Sequence, residues 1–173
     1  MHFLIDGYNV VFALRALLEE HTVAFDPNAE RERLLGLLNR YRRRNPIEMH
    51  VVFDGGRTDY SSVLTRREQG ITVSYTTPGE TADDFIKDVV RHSHSPKSIV
   101  LVTADRDILR TAKRRKAKMV PSQEFAMHVM EEVHKKRRPE IPEKYTGLTA
   151  PADVDYWMRV FGFDDDDDSP SGS

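Results

Sequence analysis

Residues 99–107 read IVLVTADRD: four apolar residues, a threonine, an alanine, and two aspartates flanking an arginine. A short unbroken apolar run of this kind suits a strand buried on both faces. The segment that follows, Arg106 to Lys116, is predicted to be helical. The same succession of apolar run, aspartate and turn recurs at residues 2–9 (HFLIDGYN) and 49–55 (MHVVFDG). Helical spacing follows the first of these in Val10, Leu14, Leu17 and Leu18. A second helix carries Leu34, Leu35, Leu37, Leu38 and Tyr41 on one face and stops before Asn45-Pro46. Further along, Gly55-Gly56 opens a polar loop through Ser62. Ile71, Val73 and Tyr75 alternate with polar residues, as in a less buried strand, and Pro78-Gly79 turns into a helix over 82–92. Met119-Val120 is a short strand, and a last amphipathic helix over 122–136 presents Phe125, Val129, Met130 and Val133. Strands alternating with helices at this spacing predict an α/β fold whose parallel sheet is covered on both faces.

A chain of 173 residues with 39% hydrophobic content is long enough to bury one domain's core. It has no cysteine, which excludes disulfides, thiol nucleophiles and thiolate zinc sites. No apolar stretch approaches the roughly 20 residues of a membrane span, and MHFLIDGYN lacks a signal-peptide layout, so a cytoplasmic protein is expected. Beyond Pro139 the chain becomes Pro-rich and then acidic. Tyr156, Trp157, Val160 and Phe161 form an apolar patch able to dock as a helix, and residues 164–173 are expected to be disordered. The expected organisation is a domain over 1–137, an extension over 138–163 and an acidic tail.

The formal charge of −2 hides a basic body. Setting aside the five aspartates at 164–168 turns the balance to +3. Positive residues cluster at Arg40 and Arg42–Arg44, at Arg66 and Arg67, at Lys113, Arg114, Arg115, Lys116 and Lys118, and at Lys135–Arg138. Such clusters either complement helix C-termini or bind a phosphate backbone. Their number favours a polyanion.

In an open α/β sheet, ligands bind beyond the carboxyl ends of the strands, where strand order reverses. Asp6, Asp54, Asp83 with Asp84, and Asp105 with Asp107 would therefore converge. Two carboxylates about 4 Å apart repel by roughly 4 kcal/mol at an effective dielectric near 20, so a positive charge is needed among them. Oxygen-only ligands point to Mg²⁺ or Mn²⁺. Each aspartate also has a purely structural reading. Asp6 can cap the helix that follows, and either Asp105 or Asp107 can do the same. Asp54 precedes a glycine loop, where capping explains it poorly. In TADDFI, Thr81 and Asp84 resemble a capping box, leaving Asp83 as the freer carboxylate. Asn9 adds a neutral oxygen near Asp6, and Thr103 a hydroxyl near Asp105.

Together, DGYN, FDG, ADDFI and TADRD resemble the NYN branch of the PIN-like nucleases, specifically the bacterial YacP-like group, over about residues 2–130. The resemblance implies a PIN-like three-layer α/β/α sandwich with a mostly parallel sheet, and a metal-dependent endoribonuclease. It implies catalytic roles for Asp6, Asn9, Asp54, Asp83 and Asp105. The same aspartates with Asp107 as an auxiliary would hold Mg²⁺ or Mn²⁺, and RNA would be the partner. Candidate RNA contacts are Arg57, Arg66, Arg67, Arg106, Lys113, Arg114, Arg115 and Lys116, with Tyr8 available for stacking.

Other chemistries fit less well. A haloacid-dehalogenase-type phosphatase needs a second acid two residues after the first, where Tyr8 stands. A receiver-like module would leave the basic clusters unexplained. Neither the His92/His94 pair nor His128 and His134 has metal-ligand spacing with a partner motif, and no nucleophile elbow accompanies any serine. A non-catalytic RNA-binding module on the same fold is the main alternative.

Overall fold

The computed structural model describes residues 1–55 and 64–135. The expectations for the 56–62 loop, Arg57, the 138–163 extension and the acidic tail fall outside them. Twelve elements follow in chain order: β1 (His2–Asp6), α1 (Gly7–Leu17), α2 (Pro27–Arg44), β2 (Glu48–Phe53), β3 (Leu64–Glu68), β4 (Ile71–Tyr75), α3 (Ala82–His92), a 3₁₀ turn (Pro96–Ser98), β5 (Ile99–Val102), α4 (Arg106–Arg114), β6 (Lys118–Val120) and α5 (Ser122–His134). The sheet runs β3-β4-β2-β1-β5-β6, parallel throughout except for β3 against β4. The α/β/α fold read from the sequence is the one observed.

Alternation along β1 explains the layers. Leu4 points to the face covered by α3 and α4, where it joins Val52, Ile86, Val90, Leu101, Ile108 and Ala112 in one buried cluster. The neighbouring Phe3 packs on Phe125 of α5, which also meets Tyr41 of α2 edge-on. Both faces are apolar, so β1 and β5 carry unbroken hydrophobic runs rather than alternation. Among the described residues no helix is long and apolar enough to cross a membrane.

Two sequence expectations need correction. Leu17 and Leu18, at the expected helical spacing, are substantially exposed, at the last residue and the C-cap of α1. Ile71, Val73 and Tyr75 are buried, not on a less buried strand. The reason is β3, an antiparallel strand that the sequence did not announce and that covers the edge of β4. Its LTRRE sequence lacks apolar alternation, since it is itself an edge strand with Thr65, Arg66 and Arg67 exposed.

The order of the strands fixes where a ligand can bind. From β1 the chain moves to β2 and β4 on one side, then crosses to β5 and β6 on the other. The crevice at the carboxyl ends of β1 and β5 is the switch point.

Candidate active site

Asp6 closes β1 at that crevice. It is 4% exposed and caps α1, its Oδ1 accepting from the Asn9 backbone N–H at 3.2 Å. Its Oδ2 accepts from Asn9 Nδ2 at 2.6 Å and from the Thr103 hydroxyl at 3.1 Å. Thr103 lies just beyond β5, so this bond stitches the two strands across the switch point. Asn9 adds a second stitch, its Oδ1 accepting from the Ala104 N–H at 3.3 Å. Burial pushes the Asp6 carboxyl up to about 6 despite these donors, and negative Asp83 adds to the effect. The same carboxylate is therefore both a helix cap and a candidate site residue.

Gly7 is required by close approach. A Cβ there would stand 2.3 Å from the Phe53 ring, far inside van der Waals contact. At Gly55 the backbone has φ +70°, which lets the chain turn sharply after Asp54.

Asp54 also proves to be a cap, contrary to expectation. Its Oδ1 accepts from the Ala82 N–H at 2.5 Å, at the start of α3, 28 residues away. A cap supplied by a different strand leaves no local sequence pattern. Thr81 caps the same helix: its Oγ1 accepts from Asp84 N–H at 3.1 Å and donates to Asp84 Oδ2 at 2.9 Å. Asp84 is thus engaged in the cap. Asp83, one residue earlier, has no such tie and faces the other carboxylates. Burial raises its proton affinity, as do the negative fields of Asp105, Asp54 and Asp84, while Lys87 lowers it. Lys87 Nζ stands 3.8 Å from Asp83 Oδ2 and is only 17% exposed. The i,i+4 spacing in DDFIK was the available signal for it.

Asp105 caps α4, accepting from the N–H groups of Asp107 (2.7 Å) and Ile108 (3.0 Å). Its own N–H donates to Thr103 Oγ1 at 3.1 Å. Asp107 is exposed and faces Arg110 at 3.2 Å, away from the convergence. Four aspartates therefore meet electrostatically: Asp83 feels Asp105 and Asp54, and Asp6 feels Asp83.

Arg31 of α2, which sequence reasoning missed, stands beside the candidate site. Its Nη2 donates to the backbone oxygens of Asp54 (2.9 Å) and Gly55 (2.6 Å). The guanidinium lies over Tyr8 (5.4 Å), Phe53 (5.6 Å) and Tyr75 (5.3 Å). It clamps the turn that carries Asp54 from 23 residues away, a link invisible to local pattern.

The basic candidates divide by position. Arg66 pairs with Glu68 and lies over Tyr75 at 5.2 Å; Arg67 beside it is exposed. Arg106 opens α4 next to Asp105. Lys113, Arg114, Arg115 and Lys116 stand at the other end of α4, about 13 Å away at 1.5 Å per residue. Arg115 there donates to the Ser93 carbonyl at 3.0 Å, at the C-cap of α3. Arg106, Arg110 and Lys113 share one face of the helix, along a groove of about 490 Å³ floored by Leu109, Met119 and Pro121.

The donor set suits a hard divalent cation, being carboxylate oxygens with little positive charge among them. Among the described residues, no group of three or more His, Asp or Glu closes on a single ion unaided.

A family profile described as the YacP-like NYN domain matches residues 3–154. Among solved structures, Rae1 (YacP) from Bacillus subtilis is 21% identical, with a TM-score of 0.58, over 76% of this chain and 75% of that one. A tryptophan-to-leucine variant of the same protein gives 21% and 0.56, over 76% of each chain. At this identity the likeness is one of fold. No match is found among curated proteins. The NYN domain is a PIN-like nuclease fold, and the matched span takes in every element from Phe3 to the end of α5: the chain belongs to the YacP-like NYN domain family.

Proposed function

We propose that this chain is a metal-dependent endoribonuclease that hydrolyses RNA phosphodiester bonds at Asp6, Asp54, Asp83 and Asp105. The observation that carries it is the meeting of four carboxylates from four segments at the β1–β5 switch point, with Lys87 the cation paired to Asp83. Mere capping needs one carboxylate per helix start and no mutual repulsion.

Those four aspartates would hold Mg²⁺ or Mn²⁺, which when bound supplies an activated water and relief of charge on the phosphate. The protein's own groups divide the remaining work. Asn9 and Thr103 hold Asp6 in one rotamer, and Arg31 fixes the turn bearing Asp54. Asp83 accepts no side-chain hydrogen bond among the described residues, which keeps its carboxylate available to the ion, with Lys87 Nζ 3.8 Å away. Arg106, Arg110 and Lys113 offer successive phosphate contacts along α4, leading a strand away from the site.

A non-catalytic RNA-binding module on this fold has one observation in its favour: Asp6, Asp54 and Asp105 all have capping work without any ion. Incubating the purified protein with mixed cellular RNA and Mg²⁺, Mn²⁺ or EDTA, then mapping ends, separates the two. Discrete new ends that vanish in EDTA are expected. RNA bound but uncut in every condition would leave only the binding module.

A further inference from the structure

The amino edge of the sheet, away from the carboxylates, holds a cavity of about 350 Å³ between α2 and the β3–β4 hairpin. Arg42, from the last turn of α2, and Arg67, from β3, line it together with Gly70, Thr72, His2 and Glu48. The cavity lies at the start of β1, whereas Asp6 closes that strand, about 13 Å away at roughly 3.3 Å per residue. Two guanidinium groups share this space, and neither has a hydrogen bond or an ion pair among the described residues. Other arginines end on an oxygen, as Arg15, Arg31, Arg33 and Arg115 do. Glu48, the one acid among the described lining residues, does not neutralise them: its side chain is 86% exposed and lies 3.9 Å from His2 Nδ1.

Arg42 is held in place without being satisfied. Its Nε is buried and has no hydrogen-bond partner among the described residues, a condition native proteins rarely leave unexplained. The hairpin is fitted to its guanidinium. Gln69 and Gly70 both have positive φ, +50° and +83°, in the tight turn that brings β4 back along β3. A Cβ on Gly70 would stand 2.7 Å from Arg42 Cζ, so only glycine leaves room. Asn39 of α2 donates to the Gln69 side chain at 3.2 Å and fastens the hairpin to the helix. A basic residue that merely complements the C-terminus of α2 needs neither a second arginine opposite nor a glycine beneath it.

We propose that the Arg42–Arg67 cavity is a phosphate-binding site separate from the carboxylate edge. A guanidinium presents its N–H donors in a planar fork that matches phosphate oxygens two at a time. A dianion between the two cations replaces their mutual repulsion with attraction, and the Thr72 hydroxyl adds a neutral donor. The volume lies in the range of small-molecule sites. The phosphate belongs either to a free ligand, such as inorganic phosphate or a nucleotide, or to the backbone of a bound RNA. None of the proposed cleavage residues lines the cavity, so the site stands or falls independently of the ribonuclease function.

Isothermal titration calorimetry on the full chain tests it, in metal-free chloride buffer at constant ionic strength, where the bare carboxylates of the far edge repel anions. The probes are inorganic phosphate, adenosine monophosphate and adenosine. Phosphate and the monophosphate are expected to bind saturably to one site, and adenosine not to bind. Arg67→Ala and Arg42→Gln should each weaken phosphate binding about tenfold. Arg43→Ala, an exposed neighbour on the same turn, should leave it unchanged. Arg67 is an exposed side chain on an edge strand, so its variant decides the matter even if Arg42→Gln fails to fold. No binding of phosphate to the wild type, or equal affinity in Arg67→Ala, overturns the site. Competition then assigns the source. Labelled single-stranded RNA that phosphate displaces, and that Arg67→Ala binds more weakly, makes the RNA backbone the ligand. RNA affinity indifferent to both leaves the free phosphate ligand.

Discussion

At Asp83 and Asp84, two adjacent identical side chains do different work, and helix geometry separates them. Asp84 exchanges hydrogen bonds with Thr81, the α3 cap. Asp84→Ala is expected to cost about 0.5–1 kcal/mol and to leave most of the cleavage rate. Asp83→Ala should keep stability and lose activity; melting and cleavage measured on both variants check the pair. That division was legible in TADDFI, because a capping box is local. The Asp54 cap and the Arg31 clamp were not, because their partners lie 28 and 23 residues away. Asp6 allows a test independent of activity. Its folded-state pKa of about 6 lies above the unfolded value. Its contribution to stability is therefore complete below about pH 4 and lost as pH rises through 6, up to roughly 3 kcal/mol. In EDTA at pH 8, Asp6→Asn should melt higher than wild type, and at pH 4 the gap should close. Equal melting curves at both pH values would show that Asp6 carries no buried charge.

Among the elements, β2 and α4 each hold a testable consequence. His50 of β2 bonds Ser74 Oγ on β4 at 2.8 Å, and Ser74 meets Thr65 of β3 at 2.7 Å, a polar thread across three strands. Burial, with His2 nearby, pushes the His50 imidazole down to about 4. Stability from the neutral ring is present above about pH 6.5 and lost as pH falls toward 4, roughly 2 kcal/mol after allowance for partial exposure. His50→Gln should flatten the decline between pH 6.5 and 4 in denaturant titrations. On α4, the basic run at 113–116 read as one cluster in the sequence, but helical geometry splits it. Replacing Arg106, Arg110 and Lys113 by Ala should reduce the salt slope of RNA binding by about one per lost contact. Replacing Arg114, Arg115 and Lys116 should lower the melting temperature, through the lost Arg115–Ser93 bond, and leave the slope alone. Periodicity sufficed for the central strands and for α3. It failed at β3, whose charged edge sequence carries no period-2 signal.

Taken whole, the sheet and helices of residues 1–55 and 64–135 are electrically polarised. Helices run back against the parallel strands, so their acidic starts gather at the carboxyl edge of the sheet. Their basic ends, Arg42–Arg44 of α2, Arg91 of α3, and Lys113 and Arg114 of α4, gather at the opposite edge. In the sequence these clusters looked like neighbours of the acidic site; topology sends them to the far side. The acidic edge should respond to cations directly. Millimolar Mg²⁺ or Mn²⁺ is expected to raise the melting temperature of the wild type, by about 2.7 kcal/mol of stability at a hundredfold excess over Kd, and not that of Asp83→Ala. The Asp6–Thr103 bond spans 97 residues, and β5 lies between β1 and β6 in the sheet. A nascent chain leaving the ribosome therefore cannot bring Asp6 and Asp105 together until β5 has emerged and slotted in beside β1. Residues 1–98, more than half of the polypeptide, are made before that junction can form, so the proposed cleavage centre assembles only late in synthesis.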